Sequence, residues 1–115
     1  MNKNIRVMTV PTSGEVNVIE RWECSLDSLQ KFVGGWLEAI RVTDEMVIWI
    51  NEEGKLENLD PNFMLCNGIH NPYDNVVGNA IITGCDSEGE TTSLTLRQVE
   101  EAKERFITRR LFDIS

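Results

Sequence analysis

A chain of 115 residues, 41% hydrophobic and 26% charged, has the make-up of one globular domain, which excludes two ordinary domains and a disordered chain. Its net charge of −8 argues against direct binding of nucleic acid or of an anionic membrane by the body of the domain, and it permits a basic partner. The charge is uneven: residues 1–43 balance, residues 44–60 and 74–104 each carry a net −5, and the last eleven residues turn positive.

The start, MNKNIRVMTVPTSG, predicts no signal peptide, because its apolar run is short, broken by Arg6 and ended by Pro11. No stretch approaches the roughly 18 apolar residues of a membrane helix, so a cytoplasmic chain with reduced thiols is expected. IRVMTV (5–10) alternates as a first strand, PTSG (11–14) is turn chemistry, and EVNVIERW (15–22) follows as a second strand, giving an antiparallel hairpin. In SLDSLQKFVGG (25–35) the period changes. Leu26, Leu29, Phe32 and Val33 recur at helical spacing, Ser25 can cap, and Gly34-Gly35 stop a short helix. WLEAIRV (36–42) alternates again, and MVIWI (46–50) is a continuous apolar run that predicts a central strand.

The stretch INEEGKLENLDPN (50–62) then reads as turns: NEEG between strands, KLENL as a strand, and DPN as the start of a short helix through NFMLCNG. IHNPYDN (69–75) reads as a loop, VVGNAIITG (76–84) as one buried strand with a bulge at Gly78, and CDSEGETTS (85–93) as a polar loop. The last element is a long amphipathic helix. Thr95 and Gln98 form a capping box, Leu94 and Val99 are spaced as a hydrophobic staple, and Val99, Ala102 and Phe106 line one face. The fold class predicted is α+β: one small domain over 1–115 with five or six mostly antiparallel strands, a short helix after strand two and the long helix at the C-terminus.

The chemistry-bearing residues are sparse. Cys24, Cys66 and Cys85 lie far apart with no C-x-x-C, and His70 is the sole histidine, so small buried thiols are expected and neither a metal site nor a cofactor is predicted. Glu52 and Glu53 are adjacent, so their side chains diverge and cannot act as a convergent acid–base pair. Neither NEEGKLE nor DSEGE continues into calcium-loop spacing, and the common nucleotide and nucleophile motifs are missing. A non-enzyme is expected.

Two surface features remain. The acidic segments place Glu52, Glu53, Glu57 and Asp60, with Asp86, Glu88 and Glu90, as candidates for docking a partner protein. At the basic end, Arg105, Arg109 and Arg110 with Phe112, and Trp22 elsewhere, form the alternative: a small nucleotide-like ligand held by arginine forks and an aromatic face, with a homo-oligomer interface left open. Against the alternative, cations in a last helical turn complement the helix dipole and pair with upstream carboxylates, such as Glu101 with Arg105.

Taken in order, IRVMTVP, SLDSLQKFVGGWLEAI, INEEGKLENLDPN, VVGNAIITG and SLTLRQVE resemble the successive blocks of domain-of-unknown-function family 3846, over about residues 5–100. The resemblance implies an origin in a bacteriophage, prophage or mobile element and a mixed sheet-and-helix fold, so the cytoplasm expected above would be that of the host bacterium. It brings no catalytic residue with it. The expected role is a non-catalytic accessory protein that binds a host protein through its acidic surface.

Overall fold

The computed structural model describes residues 3–13, 15–66 and 72–105. Its strands and helices run β1 (Lys3–Val10), β2 (Asn17–Cys24), α1 (Leu26–Val33), β3 (Leu37–Thr43), β4 (Met46–Asn51), β5 (Pro61–Cys66), β6 (Pro72–Val77), β7 (Ala80–Cys85), β8 (Thr91–Thr92) and α2 (Leu96–Arg105). The main sheet has the order β2-β1-β7-β4-β3, with β8 on β7, while β5 and β6 form a separate two-stranded sheet. Every pairing among them is antiparallel, so this is an α+β fold.

The centre goes to the strand most able to occupy it. All six residues of β7, AIITGC, are buried, and a strand covered on both faces needs such a run. β4, with Met46, Val47 and Ile48 buried, lies beside it in the interior of the sheet. Alternation sorts the strand residues between two layers. Met8, Val10, Met46, Ile48, Ala80 and Ile82 face one side and pack with Phe63 of β5, Val76 of β6, and Leu94, Val99 and Ala102 around α2. Ile5, Val7 and Ile81 face the other side and pack with Cys24 and Leu29, with Ile19, Trp22, Phe32, Leu37 and Trp49 at the margin. α1 therefore covers one face, and α2 with the β5–β6 hairpin covers the other. A register break between Ile5/Trp22 and Val7/Ile19 shifts the parity of β2, so both Ile19 and Trp22 join the α1 layer.

The segment after β8 is wedged against the first strand. Leu94 N donates to Arg6 O at 2.9 Å, Arg6 N to Ser93 Oγ at 2.6 Å, and Lys3 Nζ to Thr91 O at 2.6 Å. The fit is close: a Cβ on Gly84 would sit 2.6 Å from Thr92 Oγ1 and 2.9 Å from Ser93 O.

Several sequence expectations are corrected. KLENL is no strand. Residues 52–58 form successive turns, with Glu57 N bonded to Glu53 O and Leu59 N to Gly54 O, and Asn58 ends them at φ 54°, a conformation asparagine tolerates. DPN starts no helix, because Pro61 opens β5, where NFMLC pairs with β6. VVGNAIITG is two strands: Gly78, at φ 78°, breaks the run, and a Cβ there would sit 2.8 Å from Leu59 Cδ1. The loop reading of 69–75 gives way to β6 from Pro72 onward, and Thr91–Thr92 form a strand inside the polar loop. Among the described residues there are eight strands, and α2 spans ten residues rather than a long helix. Phe106 lies outside the described residues.

Candidate docking surfaces

Three asparagines set the geometry of one end of the sheet. Asn51, which closes β4, is buried; its Oδ1 accepts from Glu53 N at 2.8 Å, and its Nδ2 donates to Val33 O and Glu57 Oε1, both at 3.3 Å. It thereby ties the end of α1 to the acidic turn. Asn79 Oδ1 accepts from Thr12 N at 3.0 Å and its Nδ2 donates to Phe32 O at 3.3 Å, so it joins α1 to the β1–β2 connection. Asn62 Nδ2 donates to Val10 O at 2.7 Å and Gly78 O at 2.9 Å, which pins the β5–β6 hairpin to β1. The Val-Gly-Gly, Asn-Glu-Glu-Gly and Val-Gly-Asn blocks thus converge at this end, and their asparagines serve the scaffold.

Around this scaffold lie exposed groups. Glu52, Glu53 and Asp60 point to water with Glu57, whose carboxylate Asn51 holds. Beside them Trp36 is 67% exposed, and its carbonyl accepts from Glu52 N at 2.7 Å, so strand entrance and acidic turn are held together. Leu56, at the crest of the turn, is 83% exposed. A recess of about 280 Å³ opens here, lined by Glu38, Ile50, Asn51, Glu52, Lys55, Leu56 and Val77.

The second acidic segment is elsewhere. Met46 pairs with Gly84 and Trp49 with Ile81, so the residues after β4 and those after β7 leave the sheet at opposite ends. At roughly 3.3 Å per residue, Glu52 and Asp86 are separated by about 26 Å along the sheet. Asp86 organises its own loop, its Oδ1 accepting from Glu88 N and Glu90 N at 2.9 Å each, while Glu90 pairs with Lys3 at 3.9 Å. This end also holds Asp44 and Glu45, with Arg41, Cys85, Ser87 and Thr92 around an open cleft of about 630 Å³. The seven acidic candidates are two groups, four at one end and three at the other.

Of the ligand-binding candidates, the two described, Arg105 and Trp22, are not brought together. Arg105 Nη1 bonds Glu101 Oε2 at 3.3 Å, the helix pairing expected of it. α2 packs on one face of the sheet, and Trp22 is half-buried against the α1 layer on the other. Arg109, Arg110 and Phe112 lie outside the described residues, as do His70 and the side chain of Cys66. Cys24 and Cys85 are buried free thiols, and burial pushes the Cys24 thiol up against the opposing pull of Lys3. Among the described residues no group of three or more His, Cys, Asp or Glu side chains is placed to hold a metal, and no helix is long and apolar enough to cross a membrane.

Sequence reasoning overlooked Trp36, Leu56, Asp44 and Glu45. The first two were hidden by the strand readings that contained them, Trp36 at the head of WLEAIRV and Leu56 within KLENL.

Layer order, antiparallel pairing and the two acidic ends define a small three-layer α+β domain. The chain belongs to the family described as domain of unknown function DUF3846, whose profile spans residues 5–107. No curated protein matches it, and no solved structure does.

Proposed function

We propose that this domain is a non-catalytic accessory protein of a bacteriophage or mobile element, acting in the bacterial cytoplasm by binding a host protein. The docking face in this reading is the end of the sheet that carries Trp36, Glu52, Glu53, Leu56, Glu57 and Asp60. The mobile-element setting rests on the resemblance of the sequence blocks to the family.

The observation that carries the reading is Trp36. A tryptophan 67% exposed leaves a large apolar surface in water, and its backbone carbonyl accepts from Glu52 N at the start of the acidic turn, which itself exposes Leu56 and its carboxylates. Aromatic anchors within a polar rim are the usual composition of an energetically dominant contact, and an acidic rim selects a basic partner and speeds its approach. The other acidic end has a cleft and carboxylates, but no large hydrophobic residue among those lining it. The nucleotide-like ligand reading draws no support from the described residues.

The test is a pull-down from nuclease-treated bacterial lysate with the wild-type chain, the Trp36→Ala variant and the Glu52→Lys/Glu53→Lys double variant. A stoichiometric host protein captured by the wild type and lost from both variants is the expected result. Full retention by both, each shown folded by circular dichroism, would remove this face from consideration.

A further inference from the structure

The docking face has an internal feature that selects what enters it. The recess of about 280 Å³ is smaller than the roughly 300–1,000 Å³ of pockets that enclose small molecules, and suits one long side chain. Its wall combines two chemistries. Ile50, Leu56 and Val77 supply an apolar lining, while Glu38 and Glu52 supply two exposed carboxylates. An aliphatic stem ending in a cation matches both, since the stem covers apolar surface while the charge stays at the polar margin. Lys55 is also among the lining residues, so the side chains around the recess carry two negative charges and one positive. A guanidinium is favoured over a second ammonium there, because its planar fork offers donors to two carboxylates at once.

The backbone beside the recess is open as well. Among the described residues β3 pairs with β4 alone, and its outer edge is unpaired. From Leu37 to Arg41 its register with β4 is unbroken. The opposite edge, β2, is guarded by a register break and by Glu20, Arg21 and Glu23, with Glu20 tied to Arg6 at 2.8 Å. On an antiparallel strand laid along β3, the residue opposite Glu38 would project on the same face as Glu38 and its cross-strand partner Ile50, toward the recess.

We propose that an extended, arginine-bearing segment of the partner adds to the sheet along β3 and seats its arginine side chain in the recess between Glu38 and Glu52. This rests on the docking reading above and names the chemistry recognised. Strand addition supplies affinity through the main chain, and the recess supplies specificity through one side chain.

The probe is the peptide acetyl-Val-Thr-Arg-Thr-Val-amide, with lysine and citrulline analogues at the central position, titrated into the labelled full-length chain at low salt. The arginine peptide should move the methyl resonances of Ile50, Leu56 and Val77 and slow amide exchange in Leu37–Arg41. The neutral citrulline analogue should bind more weakly, and Glu38→Gln should weaken the arginine peptide by up to about fivefold, the upper range for an exposed ion pair. Lys55→Gln should tighten it. Equal response to arginine and citrulline, shifts confined to Asp86–Glu90, or no methyl shifts would each overturn the inference. Failures of the two readings are distinguishable. If Glu38→Gln retains a captured host protein that Glu52→Lys/Glu53→Lys loses, and the peptide moves nothing, the recess falls and the docking face stands. If no host protein is captured, the docking reading falls, and the peptide titration still decides the recess.

Discussion

At the scale of single residues, Asn62 shows how much one buried amide can fix. It is fully buried, and it satisfies two carbonyls from different parts of the chain, Val10 and Gly78. Among the described residues its own Oδ1 is buried with no hydrogen-bond partner, so they hold the site through its donor alone. Asn62→Leu keeps the bulk and removes both bonds. Leaving two buried acceptors unsatisfied should destabilise the fold by about 2–4 kcal/mol, read as a lower urea midpoint. Cys24 gives a second prediction at this scale. Burial raises its thiol, so the folded chain keeps a proton that the unfolded chain has lost at alkaline pH. By linkage, stability falls as pH rises through the unfolded thiol value and levels off above the folded one. Cys24→Ala should flatten that decline in urea titrations run between about pH 7 and about pH 10.

At the scale of elements, what was legible was what local chemistry decides. The Thr95–Gln98 box forms as its spacing requires: Gln98 N donates to Thr95 Oγ1 at 3.1 Å and Thr95 N to Gln98 Oε1 at 2.9 Å. Gln98 Nε2 also reaches Glu45 O at 3.0 Å, which ties α2 to the β3–β4 turn. Thr95→Ala should therefore cost about 1 kcal/mol of unfolding free energy, within the usual range for a lost cap. Ser25 and Ser28 likewise cap α1 reciprocally, although the sequence offered no glutamate at the third helical position. The misreadings share a different cause. Asp60-Pro61 is as good a helix opening as a strand opening, and its outcome is set by β6, which comes later in the chain and pairs with β5. KLENL has the length of a strand but no neighbour to pair with, because β7 and β3 already flank β4. The carboxylates of the candidate site were legible, as was the NEEG turn that displays Glu52 and Glu53, but Glu57 falls in KLENL, which reads as a strand, and Asp60 in DPN, which reads as a helix start. Trp36 and the recess were not legible, since both depend on bringing β3, β4 and β6 together.

At the scale of the molecule, the charge resolves into two poles. An acidic partner-binding surface made from both segments would have to span the length of the sheet, so the two groups act separately. Glu52→Lys/Glu53→Lys should abolish capture of the partner, while Asp86→Lys/Glu88→Lys should leave capture intact, with Asp86→Asn as a control for the loop that Asp86 organises. Quantitative pull-down at two salt concentrations checks this, because binding through an exposed acidic pole should weaken as salt rises.

β7 lies between β1 and β4, and this has a consequence for how the chain comes into being. A ribosome delivers the β1–β2 and β3–β4 hairpins first, and neither can join the other directly, because the strand that bridges them is still to be made. At roughly 5–20 residues per second, about 4–15 s pass between the emergence of Val10 and that of Cys85. From its own emergence until β7 arrives, each of the inner edges of β1 and β4 stands open as a template for pairing with the wrong strand. The nascent chain is thus most exposed to mispairing just before one late hexapeptide closes the sheet.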